Sequence, residues 1–188
     1  MNAKYQITTY CHHILEEYIQ EGDVCIDATA GNGNDTVFLC EKVGKMGKVY
    51  AFDIQKQALE QTKQSLEEHG YLDRAKLILD GHQNMPDYVE TEVSTIIFNF
   101  GYLPGGDHSI ATKCDTSLSA IEKGLKLLKK GGVMNLCVYS GKETGYEEKE
   151  AILSYLKTLD SKKWLVIVHD FFNRRNDPPL PVFIIRLR

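Results

Sequence analysis

The apolar run Val24-Cys25-Ile26 ends in Asp27 and opens at once into Ala28-Thr29-Ala30-Gly31-Asn32-Gly33-Asn34-Asp35-Thr36. That order reads as a strand, a glycine turn and the start of a helix. Gly31 and Gly33 admit backbone angles closed to other residues and let a ligand approach the main chain, and the helix that follows offers unpaired N–H groups. About 20 residues after Gly33 a second apolar run, Val49-Tyr50-Ala51-Phe52, ends in Asp53, where an acid is placed to take both hydroxyls of a ribose. Together these features point to a nucleoside-bearing cofactor; the competing reading is a strand and turn that serve packing alone.

The detail of the turn selects the cofactor. A dinucleotide site asks for G-x-G-x-x-G, so that a pyrophosphate can sit on the helix N-terminus. Here Thr36 stands in place of the third glycine, and Asp27 and Asp35 bring negative charge that repels a pyrophosphate. The same two acids suit a ligand with a sulfonium and an ammonium group, which S-adenosylmethionine carries. NAD is the alternative on the same residues, and a nucleotide-binding module without catalysis is a third reading.

Around this motif the chain reads as regular alternation. Ile7, Cys11, Ile14, Leu15, Tyr18 and Ile19 recur at helical spacing before Gly22-Asp23. Strands are expected over 24–27, 48–53, 76–79, 95–98, 133–139, 164–169 and 182–187. Helices are expected over 35–43, from Ala58 to a stop at Gly70, along the Leu118, Ile121, Leu125, Leu128 stripe to a stop at Gly131-Gly132, and along Ala151, Ile152, Tyr155, Leu156 and Leu159. Such alternation calls for a mostly parallel seven-stranded sheet with helices on both faces. Between Val168 and Val182 no helical period occurs, so the last strand is expected to return antiparallel. Ligands of such sheets lie outside the carboxyl ends of the strands. That rule gathers Asp27 to Asp35, Asp53, Asp80-Gly81-His82, the segment from Asn99 to His108, the loop 140–145 and the loop 173–179 onto one edge.

Composition sets limits on this reading. With 188 residues, 43% of them hydrophobic, one domain spanning residues 1–188 is expected. Lys and Arg total 22 against 26 for Asp and Glu, a net charge of -4, so any nucleic-acid contact must come from a local patch. Five cysteines, Cys11, Cys25, Cys40, Cys114 and Cys137, show no C-x-x-C spacing, which fits a reduced cytoplasm with no metal centre. No signal pattern opens the chain, and no apolar segment approaches the ~20 residues that cross a bilayer. A cytoplasmic protein without a membrane partner is therefore expected. Homodimerisation suits so small a chain with so little basic surface, although nothing in the sequence demands it.

The D-x-x-x-G-x-G turn, the acid after the second strand and the antiparallel last strand resemble the class I, Rossmann-like S-adenosylmethionine-dependent methyltransferases over the whole chain. Cys11-His12, Gly22-Asp23, the run from Asp27 to Thr36, Asn99-Phe100-Gly101-Tyr102-Leu103-Pro104-Gly105-Gly106-Asp107 and Asn176-Asp177-Pro178-Pro179 more narrowly resemble a family of small bacterial proteins labelled rRNA methylases. Members of that family methylate transfer RNA at the wobble uridine, converting 5-aminomethyl-2-thiouridine to its 5-methylaminomethyl form. Where the family often shows Y-x-G-H-x-G-G after the fifth strand, this chain departs from it with Tyr139-Ser140-Gly141-Lys142-Glu143-Thr144-Gly145.

The resemblance implies a division of labour. Asp27, Ala28, Gly31, Asn32, Gly33, Asn34, Asp35 and Thr36 surround the methionine half of S-adenosylmethionine, with Asp27 reaching toward its ammonium directly or through water. Asp53 holds the ribose, Ile54 and Gln55 border the adenine, and Gly81 and His82 sit similarly after the third strand; His82 also reads as a solvated loop residue. Asn99 orients an acceptor nitrogen beside the cofactor. Phe100, Gly101 and Tyr102 line the substrate, with Tyr102 stacking or closing the pocket; the competing reading is an Asn turn followed by a buried aromatic. Asp107 and His108 are base candidates or helix-capping surface residues. Lys142, Arg174, Arg175 and Asn176 form an RNA-facing patch beside Phe171 and Phe172, or else a solvated loop. His12, a position of the family pattern beside an apolar helical face, reads chiefly as a packed residue, with a catalytic role as the alternative.

Overall fold

The computed structural model describes residues 5–100, 114–139, 145–175 and 178–188. Its helices are α1 (Ile7–Leu15), α2 (Asn34–Val43), α3 (Lys56–His69), α4 (Cys114–Leu127) and α5 (Tyr146–Lys157). Its strands are β1 (Val24–Asp27), β2 (Lys48–Asp53), β3 (Ala75–Leu79), β4 (Val93–Phe100), β5 (Leu128–Val138), β6 (Trp164–Val168) and β7 (Leu180–Arg186). They form a seven-stranded sheet in the order β3-β2-β1-β4-β5-β7-β6. The first five strands pair in parallel, and β7 lies antiparallel between β5 and β6. The expected fold is therefore present.

Period-two alternation divides the side chains between two cores. Ile26, Phe52, Ile96, Phe98 and Phe100 face α4 and α5, where Ile121, Leu125, Ile152 and Leu156 meet them. Cys25, Val49, Ile97, Val133 and Cys137 face the other way, onto Cys11 and Leu15 of α1, Phe38 and Leu39 of α2 and Leu66 of α3. Each fully buried aromatic or aliphatic side chain in these layers contributes about 1.5–3 kcal/mol. Asp27 falls two residues after Cys25 and Asn99 two after Ile97, so both project toward α1 and α2. The strand order reverses at the β1–β4 pair, the topological switch where ligands of such sheets bind.

Several boundaries differ from the expected pattern, among them β4, which runs through Asn99 and Phe100. The first helix ends at Leu15 and continues as a 3-10 turn over Glu16–Tyr18, leaving Ile19 extended. Helix α4 stops at Leu127, before the two glycines; β5 already begins at Leu128 and carries a register shift where Val93 pairs Leu128 but Thr95 pairs Val133. Gly131, with φ 78, lies within that irregular stretch. A 3-10 helix over His82–Asp87 contains Pro86, whose missing N–H gave no helical signal. Among the described residues no helix is long and apolar enough to cross a membrane.

Candidate active site

The glycine turn is assembled by two carboxylates, one buried and one half-buried. Asp27 is fully buried at the end of β1, accepting the Thr29 backbone N–H at 3.1 Å and the Thr36 hydroxyl at 2.6 Å. Burial, and then the charge of Asp35, push its carboxyl up to about 7. From the neighbouring strand Asp53 accepts the Gly31 N–H at 3.0 Å and the Gln55 N–H at 2.9 Å. The Gly31 carbonyl in turn accepts the Thr62 hydroxyl of α3 at 3.1 Å. Gly33 caps α2 with φ 83, and a Cβ there would lie 2.9 Å from the Thr62 Cα. Glycine is thus required twice over, by its backbone angle and by the approach of α3.

A second set of contacts joins this turn to β4 and α1. Thr29 accepts the Asn99 backbone N–H on its hydroxyl at 2.8 Å. The Asn99 side-chain amide donates to Asp35 Oδ2 at 2.7 Å, and His12 Nε2 meets Asp35 Oδ1 at 2.5 Å. The His12 ring lies parallel on Phe38, 5° between planes and 3.8 Å between centroids. The ends of β1 and β4, the first turn of α2 and the middle of α1 are thereby tied into one polar network above the switch point.

The family model described as "Putative rRNA methylase" matches residues 49–185 of the chain. The protein belongs to this rRNA methylase family. It is similar to the Arabidopsis thaliana protein "tRNA (mnm(5)s(2)U34)-methyltransferase, chloroplastic", with 38% identity over 191 residues, covering 96% of this chain and 69% of that protein. A crystal structure described as a putative rRNA-methylase from Clostridium thermocellum superposes with a TM-score of 0.93 at 45% identity, covering 95% of this chain and 96% of that one. A putative methyltransferase from Streptococcus mutans, solved in complex with SAH, superposes with a TM-score of 0.88 at 40% identity, covering 97% and 98%.

Several residues expected at ligands make contacts within the protein. Thr36 is fully buried on Asp27, and each Asp27 oxygen accepts one local donor, so this buried carboxylate shapes the turn. Asp35 is turned inward to His12 and Asn99. Ala28 is buried and its N–H extends the sheet to Ile97. Phe100 is fully buried and stacks on Phe98 with centroids 5.0 Å apart, because alternation along β4 directs it into the α4 core. Gly81 is buried and His82 is packed edge-on against Phe98 and Phe100. Burial lowers the His82 pKa to about 4, against a hydrogen bond to the Ala28 backbone, and the ring is buried rather than solvated.

Other expected site residues remain at least partly accessible. Gly31, Asp53 and Gln55 are half-buried, and Asn32 and Asn34 are exposed. Ile54 is 61% exposed beside Asp53. A carboxylate has about four acceptor positions, and two on Asp53 are used by backbone N–H groups, leaving two for a diol. This donor set, with an apolar surface next to it, fits an adenosine. Arg174 stacks over the Phe171 ring at 4.0 Å and donates to the Tyr5 carbonyl, so part of its guanidinium is committed to holding its loop on the start of α1. Arg175 and Phe172 are exposed, the latter by 93%. Gly101, Tyr102, Asp107, His108, Lys142 and Asn176 lie outside the described residues.

The sequence marks His12 as a position of the family pattern but gives no signal that pairs it with Asp35. Asp35 is 23 positions away, and docking of α1 on the sheet is what brings the two together.

Proposed function

We propose that this S-adenosylmethionine-dependent methyltransferase acts on transfer RNA, methylating the amine of wobble 5-aminomethyl-2-thiouridine to give 5-methylaminomethyl-2-thiouridine. The observation that carries the reading is the placement of Asn99 at the switch point, with its NH2 group on Asp35 and its carbonyl oxygen without a partner among the described residues, open to an N–H donor. The Arabidopsis relative supports the choice of a wobble-uridine amine.

Asp53 holds the ribose, the Gly31 turn supports the amino-acid end, and Ile54 flanks the base. The donor bound there supplies an electrophilic methyl on sulfur. Attack needs a neutral amine lone pair in line with the carbon–sulfur bond, so orientation of the acceptor is the main task of the protein. Asn99 accepts one amine N–H and thereby aims the lone pair. The carbon–nitrogen bond forms as the carbon–sulfur bond breaks, and the resulting ammonium gives its extra proton to water. Arg175 and Phe172 supply a phosphate contact and a stacking surface for the RNA.

The test is mass spectrometry of nucleosides from undermodified transfer RNA incubated with enzyme and S-adenosylmethionine. Conversion of 5-aminomethyl-2-thiouridine to a product heavier by one methylene is expected. Ribosomal RNA is the second reading, favoured by the family description. Methylation of ribosomal RNA alone, or of small amines alone, would overturn the transfer-RNA assignment.

A further inference from the structure

Asp35 opens α2 beside the cofactor turn, yet its two oxygens are taken by His12 at 2.5 Å and Asn99 at 2.7 Å, and the residue is 8% exposed. A carboxylate accepts hydrogen bonds and never donates, so the Asn99 amide is held with its nitrogen toward Asp35 and its oxygen on the opposite branch. The backbone of Asn99 is fixed independently by the Thr29 hydroxyl. What remains free in Asn99 is rotation of its side chain, and Asp35 is the group that stops it. Asp35 in turn stands close enough to the buried Asp27 for their charges to oppose each other. His12 is the donor that satisfies its outer oxygen, and the stack on Phe38 fixes the imidazole plane.

We propose that His12 is a positioning residue for methyl transfer, acting through Asp35 to hold Asn99 with its side-chain carbonyl presented to the acceptor amine. The inference rests on Asn99 being the group that receives that amine. Without the His12 donor, Asp35 is left with an unmet acceptor in a nearly dry site. It then turns toward water or takes the Asn99 amide with it. The expected loss is in alignment rather than in cofactor binding, because the Gly31 and Asp53 contacts do not pass through His12.

Two substitutions separate the hydrogen bond from the packing. His12→Phe keeps a ring on Phe38 and removes the donor; His12→Gln restores an N–H at similar reach and removes the ring. His12→Phe is expected to lower kcat roughly 10- to 100-fold while shifting the transfer-RNA KM and the Kd for S-adenosylhomocysteine by less than about threefold, and His12→Gln to recover most of kcat. A kcat for His12→Phe within about twofold of wild type overturns the inference, as does a His12→Gln enzyme no faster than His12→Phe when both melt like the wild type. A substrate-independent measurement separates this from the functional reading. In 15N spectra the Asn99 side-chain NH2 pair, identified by its loss in Asn99→Ser, is expected to be shifted and slow to exchange in wild type and His12→Gln, but averaged in His12→Phe. An unchanged pair in His12→Phe overturns the role of His12 whatever the substrate. A wild-type enzyme that leaves the transfer RNA untouched overturns the amine reading while the spectra still decide the first point.

Discussion

Asp53 accepts the Gly31 backbone N–H at 3.0 Å, so the acid that ends β2 also holds in place the turn that follows β1. One carboxylate therefore preforms the glycine turn and, on the proposed reading, also takes a ribose with its remaining lone pairs. Charge-assisted hydrogen bonds contribute about 1.5–3 kcal/mol each, so Asp53→Ala is expected to weaken S-adenosylhomocysteine binding roughly 10- to 100-fold. Isothermal titration calorimetry checks this, and an unchanged Kd would remove Asp53 from the site.

Gly33→Ala places a methyl group against the α3 backbone and forces a left-handed angle on alanine. Strain of this kind costs about 1–3 kcal/mol, and in a domain of this size each kcal/mol lowers Tm by roughly 2–4 °C. Thermal unfolding is expected to show that loss, together with weaker cofactor binding as α2 and α3 separate. A variant as stable as wild type would mean that the turn accommodates a side chain.

Asp27 links stability to pH. Its carboxyl rises from 3.8 to about 7 through burial and the neighbouring Asp35, so the folded protein retains a proton that the unfolded chain has released. The stabilisation from this group is complete below about pH 4 and is lost as the pH climbs through about 7. Asp27→Asn cannot titrate. The stability of wild type relative to this variant is therefore expected to fall between about pH 4 and pH 7 in urea titrations, and a difference that rises over that window would contradict the buried, proton-retaining state.

Arg175 is exposed beside the fully presented Phe172, whereas Arg174 is partly committed to Phe171 and the Tyr5 carbonyl. Arg175→Ala is expected to raise the transfer-RNA KM several-fold, with a shallower salt dependence, and to leave cofactor Kd unchanged. Arg174→Ala is expected to lower Tm as well, because the loop loses its tie to α1. Equal loss of RNA and cofactor affinity in Arg175→Ala would point away from an RNA contact.

Much of this molecule is determined by local sequence. The strands β1 and β2 lie where apolar runs end in Asp27 and Asp53, because alternating burial and glycine punctuation are written in neighbouring residues. The parallel order and the antiparallel β7 follow from which connections contain a helical period and which do not. Gly33 was marked by its place in the turn, and the structure adds the second reason, Thr62, which belongs to a helix the turn residues do not specify.

Side-chain roles at the site were decided elsewhere. Asp35, Thr36, Phe100 and His82 occupy positions that suit ligands, yet each is turned inward by a partner distant in sequence or by alternation along a strand. The bond between His12 and Asp35 exists only because α1 packs its Cys11 and Leu15 against the face that also carries Asn99. Sequence determined the scaffold and the edge on which chemistry gathers, since both depend on short-range periodicity. Tertiary structure alone decided which acids face solvent and which face one another, since a carboxylate takes whatever donors the docking of helices brings within hydrogen-bond reach.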